Sequence, residues 1–436
     1  MVVVSDQMVQ ELLDSFVVTD TQFKLVGISN VVKHQRISWV LFEAILEADK
    51  GKLSRQLRSL RYSFPPGFMG MAFPNPILRE AKDRQIKSVA ELKEIAFNHL
   101  SKIKLEPEKE FLFRFPANFL FEGKDLDLKN KHAQVRVKHF SDYPDISANP
   151  KNDETNRSPL KTSWSSNDFV SYSVIEIQVH ARNRIFAENL AKWYLNFILG
   201  VVSFVLKQGS FSLIPDKGER EILDLRYGFC FTFEDGIFGD FITGNFTGNP
   251  PKVYDLRADN RDELIQIFNK FQSTSSSIQE VLLDAFSWYL EGMTQKLPGF
   301  SFLFFWSSIE RLCLKEAGIP ETRVKRILSS IFESITDLER MEIERLYKIR
   351  NTTVHNAGYS AVTDYDRDIV RWYNENLLSF FVWSLTEYTP VEIQDLYDYL
   401  CLDVTQFKRK QRMMQIVDKM SKENQDTSEN NKAGDA

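Results

Sequence analysis

The chain has 436 residues, of which 43% are hydrophobic and 26% charged, and its net charge is −5. That length exceeds one small module and predicts two or three compact units, while that balance excludes wholesale disorder, a collagen-like chain and a membrane-only protein. With a pI of about 5.9 there is no basic field over the whole molecule, so any nucleic-acid binding has to come from a local patch. The 35 phenylalanines supply large buried areas and predict well-filled cores. Cys230, Cys313 and Cys401 are far apart and show no zinc-like spacing, which fits a reducing cytoplasm. At the N-terminus, Asp6, Glu11 and Asp14 interrupt MVVVSDQMVQELLDSF, so no export signal is expected.

Up to about Leu105 the reading is mixed. QFKLVGISNVV alternates like a strand, whereas ISWVLFEAILEADKGKLSRQL and KSVAELKEIAFNHLSKIK carry helical spacing. Between those helices, RYSFPPGFMGMAFPNPIL reads as a loop, because its prolines and glycines break regular elements. From Glu108 the period becomes two, in FLFRFPANFLFEG, QVRVKHF and FVSYSVIEIQVH, and strands are predicted. Tyr143 to Asp168 is polar and proline-containing, which predicts a mobile loop over 143–168. An apolar helix follows over Asn183 to Lys207. Its most apolar stretch, Trp193 to Leu206, is too short to cross a bilayer, so a buried helix and no membrane association are expected. DLRYGFCFTFEDGIFGDFITGNFTG then returns to strand alternation with an Asp-Gly turn signal. The fold class expected is therefore α+β, with a mixed, strand-rich region over 1–270 forming one large domain or two small ones.

Beyond the polar stretch Ser273 to Ser277 the pattern is helical. The candidates are Ile278 to Thr294, Gly299 to Ala317, Glu321 to Ser334, Thr336 to about His355 and Asp364 to Tyr388, with further helix over Glu392 to Met420. Short connections make neighbouring helices antiparallel partners, so 277–420 is expected to be an all-α bundle and 421–436 a disordered tail.

The chemistry lies in LERMEIERLYKIRNTTVHNAG. Thr336 and Glu339 have capping-box spacing, and Met341, Leu346 and Ile349 fall on or near one face. If the helix persists, Asn351 and His355 are four residues apart on one face, with Arg350 one position round. A histidine with an unperturbed pKa of about 6.5 serves as base or acid near neutral pH, an always-charged arginine neutralises a developing phosphorane, and an amide orients a hydroxyl. Metal-free phosphodiester chemistry on RNA, with the 2′-OH as nucleophile, suits that set.

Arg350-Asn351-x-x-Val354-His355, preceded by an apolar YKI and followed by a glycine, resembles the R-x4-6-H motif of the HEPN superfamily of helical-bundle ribonucleases. The upstream FFWSSIERLCL resembles the second helix of that family, with Glu310 matching its acidic residue, and the resemblance covers about 277–390. A large β-containing region before such a bundle is similar to the ApeA-like HEPN proteins of bacterial anti-phage defence. The resemblance implies a cytoplasmic, metal-independent endoribonuclease without a cofactor, whose bundles pair as a homodimer and bring two copies of the motif together. It implies that His355 is general base or acid, Arg350 the phosphate contact, Asn351 the orienting residue and Glu310 a supporting partner. It implies, further, an N-terminal region that restrains the nuclease and senses a phage-derived trigger, as in abortive infection.

Two other readings stand beside it: a non-catalytic module that binds RNA or protein and dimerises, and a toxin held by a separate antitoxin. In the bland form, Arg350 caps helix carbonyls and His355 only bonds a neighbouring loop. Arg323, Lys325 and Arg326, one helix earlier, are the candidate RNA-phosphate patch, and Lys408, Arg409, Lys410 and Arg412 form a second basic cluster more in keeping with a solvated face. The remaining histidines are scattered singly, and no metal site is expected. Nucleotide-loop, zinc-protease, hydrolase-elbow and dinucleotide motifs are absent from the sequence.

Overall fold

The computed structural model describes residues 6–14, 16–18, 23–25, 61, 75–121, 126–130, 132–139, 142, 173–207, 229–243, 254–256, 258–314, 322–331, 337–356, 362–400, 402, 405–406 and 408–415. The expected helix in ISWVLFEAILEADKGKLSRQL, the loop 143–168 and the tail 421–436 lie outside the described residues. The fold is α+β, and compactness divides it into Met1–Leu195 with Arg226–Asp255, and Asn196–Leu225 with Leu256–Ala436.

In the first unit the order is α1 (Asp6–Asp14), β1 (Phe16–Val18), β2 (Phe23–Leu25), α2 (Asn75–Asp83), α3 (Val89–Leu105), β3 (Lys109–Ala117), β4 (Phe119–Leu120), β5 (Leu126–Lys129), β6 (Ala133–His139) and β7 (Ser173–Ala181). The first half of α4 (Arg184–Lys207) follows, then β8 (Phe229–Glu234), β9 (Ile237–Thr243) and β10 (Tyr254–Asp255). A six-stranded antiparallel sheet runs β5-β6-β7-β3-β8-β9. Its alternation is that of FLFRF: Phe111, Phe113 and Phe115 are buried on one face, while Arg114 on the other meets Glu176 across the β3–β7 pair. Arg114 and Arg136 both reach the Glu176 carboxylate, at 2.8 and 3.4 Å. Pro116 is tolerated in a central strand because the β8 ladder ends at Arg114, so its missing N–H removes no bond there. The Asp-Gly signal is a two-residue hairpin turn, with Asp235 and Gly236 at φ 48° and 80° joining β8 to β9.

One expectation fails in this unit. The loop read through FPNPIL gives way at Asn75 to α2, because Pro76 occupies its first turn, where a missing N–H costs nothing. α3 begins as read from KSVAELKEI, on a capping box between Ser88 and Glu91.

The second unit takes the rest of α4, then α5 (Ala258–Ser273), α6 (Ser276–Thr294), α7 (Pro298–Leu312), α8 (Thr322–Ile331), α9 (Asp337–Asn356), α10 (Asp364–Phe380) with a π-helical turn at Phe381–Leu385, and α11 (Pro390–Leu400). It is thus larger than the 277–420 bundle read from sequence. Phe197 of α4 packs its ring on Phe268, Phe271 and Phe286, and Phe204 packs on Phe286 and Tyr289. As a 24-residue helix, α4 is long and apolar enough to span a bilayer, which the shorter apolar run conceals, but 61% of its most apolar window is buried in the fold.

α7 is the central helix, packed on α6 and α10. Gly292 lets α6 approach it, since a Cβ there would stand 2.6 Å from the Phe305 ring. Ser308 donates to the Ala285 carbonyl at 2.9 Å and accepts from Asn374 Nδ2 at 2.8 Å, joining α6, α7 and α10 through buried groups. Ser275 caps α6, and Thr363 with Asp366 makes a capping box on α10. These caps bound the two helices that pack on α7.

Candidate active site

Two helices build the site, and each presents it for a local reason. In α9, Ile343, Leu346 and Thr353 are 1–2% exposed, which sets the buried face, and Arg350 lies on the same face between Leu346 and Thr353. The expected stripe of Met341, Leu346 and Ile349 is corrected by this: Met341 is 70% exposed and Ile349 only half-buried. The paired threonines stay within the helix, Thr353 donating its hydroxyl to the Ile349 carbonyl at 2.8 Å, and helical backbone runs to Asn356. Asn351 and His355 are therefore one turn apart, about 6 Å along the axis. The His355 side chain, Thr336 and Gly358 lie outside the described residues.

From α7 comes Glu310, a turn after Trp306. Its Oε1 accepts from Trp306 Nε1 at 3.1 Å and from Arg350 Nη2 at 3.1 Å. Arg350 Nη1 donates to Asn351 Oδ1, also at 3.1 Å. Arg350 and Glu310 side chains are 16% and 21% exposed, so their pairing is partly desolvated and stronger than a surface ion pair. With its side-chain carbonyl accepting from Arg350, Asn351 keeps its amide N–H groups as donors. The structure thus brings Glu310, Arg350 and Asn351 into one hydrogen-bonded chain, with helical backbone carrying His355 beyond them.

Trp306 and Tyr347 were not singled out from sequence. Trp306 is 2% exposed, and its ring stands 6.4 Å from that of Tyr347. The signal was present in Trp306-x-x-x-Glu310, an i, i+4 pair that lets an indole N–H orient a carboxylate on the same helix.

The phosphate patch divides. Lys325 joins the site's edge, with Nζ 4.5 Å from the Tyr347 ring centre and 2.6 Å from Glu344. Arg323 is bound instead to α11, through Asp398 at 3.0 Å and the Gln394 carbonyl at 3.3 Å. Arg326 is exposed on α8. The first two cations are thus engaged within the fold. Among the described residues no three His, Cys, Asp or Glu side chains gather as a metal would need.

On α6 and α10, Tyr289, Arg371 and Glu375 form a mostly buried cluster. Tyr289 Oη donates to Glu375 Oε1 at 2.7 Å, and Arg371 Nε donates to it at 2.6 Å. Burial raises the Glu375 carboxyl above the usual range despite Arg371 beside it, and raises the Tyr289 phenol further. Asp366 goes the other way. Burial would raise it, but hydrogen bonds from Thr363 and the Arg345 guanidinium outweigh that and hold it below its ordinary value.

No protein-family model matches the chain, and no curated protein or solved structure matches it either.

Proposed function

We propose that the chain is a metal-independent endoribonuclease of HEPN type. What supports this most is the link between Glu310 of α7 and Arg350 of α9 at 3.1 Å, with Asn351 bonded to that arginine and His355 one turn further along the same helix. In this reading His355 takes the proton from a ribose 2′-OH and the 2′-oxygen attacks phosphorus. The bond to the 5′-oxygen then breaks, leaving a 2′,3′-cyclic phosphate and a 5′-hydroxyl. Arg350 stabilises the charge that gathers on the non-bridging oxygens, and Asn351 orients the attacking hydroxyl. A homodimer formed through the bundle supplies a second His355 to protonate the leaving oxygen. The N-terminal unit restrains the nuclease in the cytoplasm until a phage-derived trigger engages it, in the manner of ApeA-like defence proteins.

A second reading has an observation of its own: Arg350 is mostly buried and bonded to Glu310 and Asn351, as a structural arginine in a non-catalytic RNA- or protein-binding module would be. The test is cleavage of total cellular RNA by the full chain in excess chelator, with and without added extract of phage-infected cells to relieve the restraint, with product ends read, against His355→Ala. Cyclic-phosphate ends from the parent and none from an equally folded His355→Ala are expected. Undiminished cuts by the variant remove His355 from the chemistry, and none by the parent even with that extract moves the assignment to the binding module.

A further inference from the structure

We propose that residues 408–415 are a docking helix for the backbone of single-stranded RNA, an inference that rests on the ribonuclease reading and adds a substrate-holding surface to it. All eight of these residues are helical and all are exposed, including Met413 at 57% and Met414 at 62%. Over 408–415 this helix buries none of its side chains, so these residues lack the tertiary packing that normally stabilises helices in proteins, and an added partner is the missing term. Its charge says which partner. Lys408, Arg409 and Arg412 fall within about 100° on the helix surface, and Lys408 and Arg412, at i and i+4, repel one another until an anion lies between them. Lys410 adds a fourth cation, and residues 408–415 hold no acidic residue.

RNA is favoured over an anionic bilayer by the apolar side of the same helix. An interfacial helix needs a broad apolar face, commonly with Trp, Phe or Leu, and within 408–415 the apolar residues are Met413 and Met414, with Lys410 between them on the helix surface. Two of the three cations in the other candidate patch are already occupied, Arg323 by Asp398 and Lys325 by Glu344, and no ion pair to a described carboxylate is seen for the cations of 408–412. Polyanion binding by such a cluster is a counterion-release effect and carries its own signature in salt.

The experiment uses the full-length His355→Ala protein, which is spared cleavage, and follows the anisotropy of fluorescein-labelled oligouridine across a potassium chloride series. Replacing Lys408, Arg409, Lys410 and Arg412 together by Gln should weaken binding at least about tenfold at low salt. It should also flatten the slope of log affinity against log salt by up to about 3, four cations at roughly 0.7 each. Thermal unfolding should be unchanged, and the charge-preserving exchange Lys408→Arg, Arg409→Lys, Lys410→Arg, Arg412→Lys should restore affinity. Unchanged affinity and slope in the Gln variant, no RNA binding by the parent, or loss of phosphatidylserine-vesicle binding with RNA binding intact would each overturn the proposal. Binding through this helix, when the same chain with His355 intact never cleaves, leaves the docking helix standing and sinks the catalytic reading. Cleavage by the chain with His355 intact, together with unaltered binding by the Gln variant, does the reverse.

Discussion

The Glu310–Arg350 contact yields a number. Unit charges about 4 Å apart at an effective dielectric of about 20 attract by roughly 4 kcal/mol, and the desolvation of both groups offsets much of this. Breaking a fully buried pair costs about 3–5 kcal/mol; with 16% and 21% exposure, solvent reduces the expected cost to about 2 kcal/mol. Glu310→Gln keeps the shape and leaves an amide oxygen for Trp306, but removes the carboxylate from the Arg350 guanidinium. Arg350→Gln removes the guanidinium from the Glu310 carboxylate, which keeps the Trp306 N–H. Each single variant should lose about 2 kcal/mol and the double variant little more, a coupling of about 1.5 kcal/mol in urea unfolding followed by circular dichroism. In the cleavage assay, Glu310→Gln should also lower kcat on the order of 100-fold, because a guanidinium no longer fixed by its carboxylate misses the phosphate. Coupling below about 0.5 kcal/mol would show that the two side chains do not depend on one another, and the site's geometry would fall with it.

Asp366→Asn should cost about 1–2 kcal/mol, since it weakens the α10 capping box and removes the charge that Arg345 holds. Because the folded Asp366 carboxyl titrates below its ordinary 3.8, its stabilisation is present above that value and is lost as pH falls through the lower folded one. Acid titrations of stability should therefore be less steep in the Asn variant, and identical slopes would refute the assignment. Arg371→Ala removes a guanidinium that bonds the buried Glu375 and should destabilise by about 3 kcal/mol at neutral pH. The Glu375 carboxyl is already raised by burial, so a group of this sign favours the fold at low pH and loses that contribution as pH rises. The Arg371→Ala deficit should accordingly shrink on acidification, and a deficit that grows towards pH 5 would show that Glu375 is not the group left unpaired.

Much of the second unit was legible because its helices are bounded by local chemistry. Ser275 before SIQEVLL and Thr363 before DYDRD satisfy first-turn N–H groups within three residues, and such signals do not depend on the rest of the fold. The same holds for Asp235-Gly236, where positive φ at both positions comes cheaply. Prolines misled where position decides their effect: Pro76 opens α2 rather than breaking it. Face assignment failed in α9 for a related reason. Met341 is apolar and Arg350 charged, yet the first is exposed and the second mostly buried, because Glu310, 40 residues earlier, gives Arg350 a partner that Met341 does not require. Arg323 and Lys325 show the same dependence from the other side. Nothing in R-x-K-R says which cation meets a carboxylate, and that is settled by Asp398 and Glu344, brought close only by packing of α8 on α11 and α9. A buried charge is thus readable from sequence only when its partner is also local, as Trp306 and Glu310 are on α7; where the partner is remote, polarity alone predicts the wrong face.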